Sequence, residues 1–453
     1  KIEDAKLIVG FNADFLGTWM APVEFTKKYA ASRKVDELKN MSMHIQFEST
    51  LSLTGSNADL RVPMKPSQEG AVLINLHNEI ARATGASTLP AEKMELAGNS
   101  IKLTAKQLLK NKGKAAVMSG TNDLDIQLIV NKINDLLGNT GKTIDFNNPS
   151  MQKMGNDELM NQLISDMKSG KVSALIVNGA NPVYNHPQGK EIEKAFEKVD
   201  LTVSLNVKLD ETGKLCTYKC PDHHYLETWN DSQAKANYIS LAQPTIYPIF
   251  NTRAAQDSFL SWSGQNIKYN EFLKKEWETN YYPKAKNASM NFVSFWTKSL
   301  HDGFAELKAE SQMSNEAENN ENNENSEAPT QSVSPDYTAS ASRLNKLMKS
   351  ASGVELVVYQ KVGIMDGTYA NNPWLQELPD PVSKVTWDNY VCVSPKMASE
   401  QGWKDETVVK VSNGSYEIQL PVLTQPGQPY GTIGIAAGYG HNHGKEGGKV
   451  AHL

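Results

Sequence analysis

The chain has 453 residues, 39% of them hydrophobic and 21% charged, with a formal net charge of −5. That is apolar material for sizeable cores and length for roughly three domains. The absence of a strongly basic block argues against a nucleic-acid partner, and no apolar run reaches the about 18–20 residues of a membrane-spanning helix.

The opening residues, Lys1 to Lys6, carry no initiator methionine and no signal or transit pattern, so the chain reads as an excerpt or a processed product. Leu7 to Asn12 is the first of three apolar β-runs that end abruptly in Gly and Asn. The others run from Ala115 to Asn122 and from Leu175 to Pro182. Each predicts a strand buried on both faces, as in parallel sheets. Thr104 to Gln107 reads as a capping box opening a helix that Gly113 closes. Ile126, Ile129, Val130, Ile133, Leu136 and Leu137 recur at helical spacing, with Gly138 as the stop. Alternating strands and helices predict open, doubly wound sheets, in which loops at strand C-termini form the ligand crevice. Gly and Asn there accept unusual backbone angles and expose N–H groups to anions. None of these loops is a Walker loop or a GxGxxG fingerprint.

Three cysteines, Cys216, Cys220 and Cys392, are too few for a four-thiolate cluster or a disulfide scaffold. His223 and His224 follow the first two closely, but Pro221 interrupts them and zinc-site spacings are missing, so a structural thiol pair is the better reading. From about Leu307 to Ser342 the composition turns rich in Asn and Glu, with a stretch from Asn315 to Glu327 holding no large apolar residue. Such a stretch predicts a linker or surface insertion, with an acidic interaction tail as the alternative. Beyond Leu344, short strands at 354–359, 390–393, 407–411 and 416–420, separated by Gly, Pro and Asn turns, predict a small barrel. The Gly-rich stretch from Gly431 to Gly444 reads as flexible.

This order of pieces resembles the molybdopterin oxidoreductases. The resemblance rests on Gly138 to Lys142, Val177 to Val183, Leu226 to Trp229 and Gln243 to Ile246. In the last hundred or so residues it rests on Tyr369 to Leu375, Ser394 to Ala398 and Gly438 to Gly440. A narrower likeness is to the iron–sulfur subunit of alternative complex III, a bacterial quinol:cytochrome c oxidoreductase. It is carried by Ala13 to Gly17, Pro22 to Phe25, Glu48 to Thr50, Leu53 to Gly55, Ala58, Asp59 and Arg61. Trp374 to Pro381 and Trp387 to Tyr390 carry it further, and the long string from Trp374 is the most specific. The resemblance implies that a molybdenum ligand and cluster cysteines, where a family member has them, precede Leu7. It also implies an empty molybdopterin-like half here, and iron–sulfur clusters in a ferredoxin-like half expected beyond Leu453.

Individual residues divide between site and scaffold. Asn12, Gly120, Asn122 and Asn181 are the candidates for a vestigial pterin crevice; the alternative is that they simply end strands. Asp59 and Arg61, two apart, suit a local ion pair more than a substrate role. His441 and His443 can bind metal or relay protons, but a flexible polar terminus is the simpler account. Trp374, Trp387 and Trp403 suit barrel packing or interface anchoring.

The fold expected is therefore α/β, with doubly wound open sheets of the molybdopterin oxidoreductase type followed by a C-terminal β-barrel domain. The expected domains are 1–110 and 111–306, both α/β, a linker or insertion at 307–343, and the barrel at 344–453. The resemblance implies a non-catalytic, cofactor-free scaffold on the periplasmic side of the inner membrane. Its partners would be the multihaem cytochrome and quinol-binding membrane subunits of a respiratory complex. The alternatives are a fragment of an active molybdopterin enzyme whose ligand lies upstream, and a free module that still holds a nucleotide.

Overall fold

Five consecutive residues without a charged side chain, Leu7–Phe11, form β1, and all five are buried. β1 lies between Met43–Glu48 (β2) and, on its other side, Ala115–Ser119 (β4), parallel to both. Leu60–Pro63 (β3) extends the sheet, in the order β3-β2-β1-β4. Runs of this kind suit a sheet covered on both faces, where no position meets water. One face packs Val9, Phe11, Ile45 and Phe47 against the helices Glu69–Thr84, Ser100–Lys110 and Leu124–Leu136. The other packs Ile8 and Ala116 against Phe15 and against Tyr29 of the helix Pro22–Ser32. This is the doubly wound arrangement expected.

The structure, a computed structural model, describes residues 1–34, 41–94, 96–308, 335–414 and 416–441. It divides into two compact units. Among the described residues, unit 1 comprises 1–146 and 335–440, and unit 2 comprises 147–308 and His441. The boundary expected after residue 110 falls inside unit 1, because β4 pairs with β1 residue for residue from Leu7 opposite Ala115 to Phe11 opposite Ser119. Thr104 caps nothing. Its helix starts at Ser100, after Gly98 and Asn99 in left-handed conformations, and Thr104 sits buried in mid-helix. The helix Leu124–Leu136 follows the expected periodicity; the Asp123 carboxylate accepts the N–H of Ile126 at 3.0 Å, and Gly138 ends it at φ 64°. The helix Tyr337–Ser350, capped by Asp336, begins within the span assigned to the linker. Its apolar residues Ala341 and Leu344 are buried in the unit 1 core. Most of the Asn/Glu-rich insertion, residues 309–334, lies outside the described residues.

In the expected barrel region, Glu355–Tyr359 (β11), Val391–Val393 (β12), Val408–Asn413 (β13), Tyr416–Thr424 (β14) and Thr432–Ala436 (β15) form one sheet. Its order is β11-β15-β12-β14-β13, with both parallel and antiparallel pairs. Among the described residues it is a five-stranded sheet with β11 and β13 at its edges. Part of the Gly-rich end is not flexible but supplies β15, which pairs with both β11 and β12. Gly434 is the reason a glycine fits there, since a Cβ would sit 3.3 Å from the Tyr359 ring and 3.5 Å from the Cys392 side chain.

Unit 2 holds a parallel sheet of Ala174–Val177 (β5), Leu201–Ser204 (β6) and Tyr218–Lys219 (β7), and an antiparallel one of Asn230–Lys235 (β8), Tyr238–Ala242 (β9) and Phe304–Glu306 (β10). β5 was expected to be buried on both faces. It is an edge strand instead, with Val177 packed under the helices Asp157–Lys168 and Gly189–Phe196 while Ile176 is 44% exposed. The second sheet closes on an aromatic core of Trp277, Phe295 and Trp296. Among the described residues no helix is long and apolar enough to cross a membrane.

Candidate crevice at the strand ends

β1 and β4 end side by side at Phe11 and Ser119. Asn12 follows at φ 48°, a left-handed conformation that asparagine tolerates better than most residues. Its Oδ1 accepts the N–H of Ser49 at 2.8 Å, which fixes the amide so that Nδ2 turns to Glu69 and donates to Oε2 at 2.6 Å. The Ser119 hydroxyl donates to Glu69 Oε1 at 2.7 Å. Gly120 belongs to the same cluster: its N–H donates to Phe11 O at 2.9 Å, and a Cβ on it would collide with the Asn12 carbonyl. Glu69, in the first turn of its helix, is 4% exposed. Burial pushes its carboxyl above the usual range, with the bonds from Ser119 and Asn12 pulling the other way. Asn122 lies outside this cluster, exposed on the loop that leads to the next helix.

Along β2, His44, Gln46 and Glu48 fall on one side and are all buried. Gln46 fills the space a Cβ of Gly10 would need, and Glu48 does the same at Gly55. Glu48 accepts from Arg61 Nε at 2.5 Å and from the Ser52 hydroxyl at 2.6 Å, yet burial outweighs these and raises its pKa. Arg61 also donates to Gly427 O at 2.8 Å. The expected Asp59–Arg61 pair does not form. Arg61 reaches across from β3 to the end of β2, whereas Asp59, just before β3, takes both guanidinium nitrogens of Arg33 at 2.7 and 2.8 Å. Burial holds the His44 imidazole down at about 4.

Asn181 belongs to unit 2, four residues after β5. It donates from Nδ2 to Glu211 Oε2 at 2.7 Å, and its Oδ1 accepts from the Thr212 N–H and hydroxyl at 3.1 and 2.8 Å. The other Glu211 oxygen lies 3.3 Å from His441 Nδ1, and the imidazole stacks on Tyr184 at 3.5 Å between ring centroids. His441 is thus buried rather than part of a flexible terminus; His443 lies outside the described residues. The expected thiol pair is not present, because Cys216 points into the core under the unit 2 helices and Cys220 is exposed. His223 meets Thr252 instead of a metal partner. Among the described residues no group of three or more His, Cys, Asp or Glu could hold a metal ion. Trp374 is 81% exposed, Trp387 stands half exposed at φ 65°, and Trp403 packs beside Val391 and Leu420.

No family model matches the chain. Over 305 residues it is 21% identical to the menaquinone reductase molybdopterin-binding-like subunit of Nitratidesulfovibrio vulgaris, covering 58% of this chain and 44% of that protein. The chain therefore spans less than half the length of this curated relative. In fold it matches acetylene hydratase from Pelobacter acetylenicus, with a TM-score of 0.66 and 14% identity, across 100% of this chain and 74% of that one. The likeness is to the molybdopterin oxidoreductase family.

A pterin dinucleotide brings a pyrophosphate, which calls for unspent N–H donors and cations at the strand ends. In unit 1, Asn12 and Ser119 donate to Glu69, and Arg61 donates from Nε to Glu48. Sequence reasoning singled out Asn12, Gly120 and Asn181 and passed over the residues they meet here, Glu69, Ser119 and Glu211. One signal was available for Glu69, which directly precedes the run Gly70 to Leu76 that contains a single polar side chain. An acid fused to so apolar a stretch is hard to keep in water.

Proposed function

We propose that the chain is the cofactor-free scaffold part of a subunit in a respiratory quinone oxidoreductase, supporting electron transfer by iron–sulfur clusters outside it. The observation that carries this reading is the Asn12–Glu69–Ser119 cluster, a crevice of the family fold whose donors are committed to the chain's own carboxyl group. The similarity to a molybdopterin-binding-like subunit of a menaquinone reductase supports a place in a quinone-linked complex. The narrower resemblance to alternative complex III adds multihaem cytochrome and quinol-binding membrane subunits as partners, on the periplasmic side of the inner membrane. The test is to purify the intact complex and separate its subunits. Molybdenum and guanine nucleotide, which a pterin guanine dinucleotide releases on denaturation, are then assayed in each. The expected result is neither in the subunit that contains this chain. Stoichiometric amounts of both would establish the rival reading, a fragment of an active molybdopterin enzyme.

A further inference from the structure

Glu69 is an odd occupant for the place it holds. It lies where the C-terminal ends of β1 and β4 face the start of a helix, the position at which open α/β sheets receive the anionic part of a ligand. Both of its oxygens accept hydrogen bonds. Oε2 accepts from an amide whose orientation is dictated by the Ser49 N–H, and Oε1 accepts from Ser119, whose own Oγ lies 3.3 Å from the Thr121 N–H. Asn12 Nδ2 can only donate, so Oε2 is an acceptor, and with the Ser119 hydroxyl donating to Oε1 a carboxylate here has one donor on each oxygen. Close by, the Ser49 hydroxyl is buried without a hydrogen-bond partner. Unit 2 has a similar pairing: Asn181, after a parallel strand, donates to Glu211 in the first turn of the short helix Glu211–Leu215, which follows β6.

We propose that Glu69 is a built-in anion, its carboxylate occupying the oxyanion niche formed by Asn12 Nδ2 and Ser119 Oγ and so closing the crevice to an external anionic ligand. The proposal deepens the cofactor-free reading and rests on it only for why such closure is tolerated. It names the ligand class the niche would take once emptied, a small oxyanion, and assigns Glu69 a role that a solvated first-turn acid does not have.

The experiment is chemical rescue. The full chain and its Glu69→Ala and Glu69→Gln variants are melted in sodium formate and in sodium chloride, each on the order of 100 mM. Glu69→Ala empties the niche, so formate should raise its midpoint by about 3 °C over chloride. The unaltered chain and Glu69→Gln, whose niche stays filled, should not distinguish the two salts. Equal midpoints for Glu69→Ala in both salts overturn the proposal. Should Glu69→Ala not fold in chloride, recovery of its near-ultraviolet dichroism in formate supports the proposal and failure in both salts overturns it. Adding Ser119→Ala to Glu69→Ala removes one niche donor and should weaken the formate effect; an undiminished effect places the formate elsewhere and also counts against the niche. Molybdenum or guanine nucleotide in the purified subunit would sink the cofactor-free reading without touching this result, so the two failures are distinguishable.

Discussion

Asn12 and Asn181 each follow a parallel strand and each hand an amide N–H to a glutamate in the first turn of a helix, but their surroundings differ. Around Asn12 the sheet is covered on both faces, the acid is 4% exposed, and its second oxygen meets a serine hydroxyl. Around Asn181 the strand is an edge, and the second oxygen of Glu211 faces an imidazole stacked on Tyr184. The same local chemistry thus sits in a low-dielectric setting in one unit and a more polar one in the other. Unpaired polar groups cost most in the first setting.

The largest test of that contrast removes each asparagine. Asn12→Ala takes one donor from a buried carboxyl and leaves the Ser49 N–H unsatisfied, a combined loss of about 4 kcal/mol. Asn181→Ala leaves Glu211 its histidine but takes the acceptor from the buried Thr212 N–H and hydroxyl, so it should cost about 2–3 kcal/mol. Hydrogen exchange in peptides spanning β1 and β5 reads the two units separately. Equal losses in both would show that the difference in burial does not matter.

The second test is pH. His44, in the buried polar row of β2, is held at about 4 against about 6.5 in an unfolded chain. The folded state therefore resists protonating it. Its contribution is present above pH 6.5 and is lost as pH falls towards 4, for a change of about 3 kcal/mol. Glu48 and Glu69 are raised by burial, so their sign is opposite: stability falls as pH rises from about 4.5 through their folded values. Between pH 4.5 and 6.5 the two trends oppose one another in unit 1. His44→Gln should lessen the loss on acidification, leaving the part due to His77 and to the arginine-paired Asp59 and Asp125, and Glu69→Gln should lessen the loss on raising pH. A His44→Gln variant with an unchanged pH profile in denaturant melts would remove His44 as the cause.

The parts of this molecule legible in the sequence were those set by local pattern. β1, β4 and the helix Leu124–Leu136 follow from apolar periodicity and turn residues within a dozen positions. Sheet partnership is not local, so the pairing of β4 with β1, across the boundary expected after residue 110, could not be read although the strand was recognised. β15 was hidden because Gly431, Gly434 and Gly438 look like flexibility, whereas Gly434 lies in the strand, close against Tyr359 and Cys392. In the crevice, Asn12 and Gly120 were legible because turn chemistry marks them. Glu69 was not, since an acid in a helix's first turn ordinarily signals a solvated N-terminus.

Glycine offers a third, smaller comparison. Gly120→Ala drives a methyl group into the Asn12 carbonyl, a backbone atom that cannot swing aside, and should cost about 2–3 kcal/mol. Gly179, between β5 and Asn181, has φ 64° but open space where a Cβ would sit, so Gly179→Ala carries only left-handed strain of about 1 kcal/mol. Thermal melts of the two variants rank them, and a larger loss at Gly179 would reverse the reading of which crevice is the tighter.

The smallest expected effect on stability is at Trp374. Its ring is 81% exposed, while its backbone is fixed by Asn372, whose side-chain oxygen accepts the Trp374 N–H at 3.0 Å, and by the short helix Pro373–Glu377. Almost none of the indole is withdrawn from water, so Trp374→Ala should change the unfolding free energy of the chain by less than about 0.5 kcal/mol. A large rigid aromatic held out of the core in this way costs little to order on contact, which is the property of an interface anchor. The same substitution should therefore leave the melt of the isolated chain untouched while loosening its retention in the assembled complex during purification in rising salt. A loss of several kcal/mol in the isolated chain would make Trp374 a folding residue. Unaltered retention in the complex would remove it from the interface.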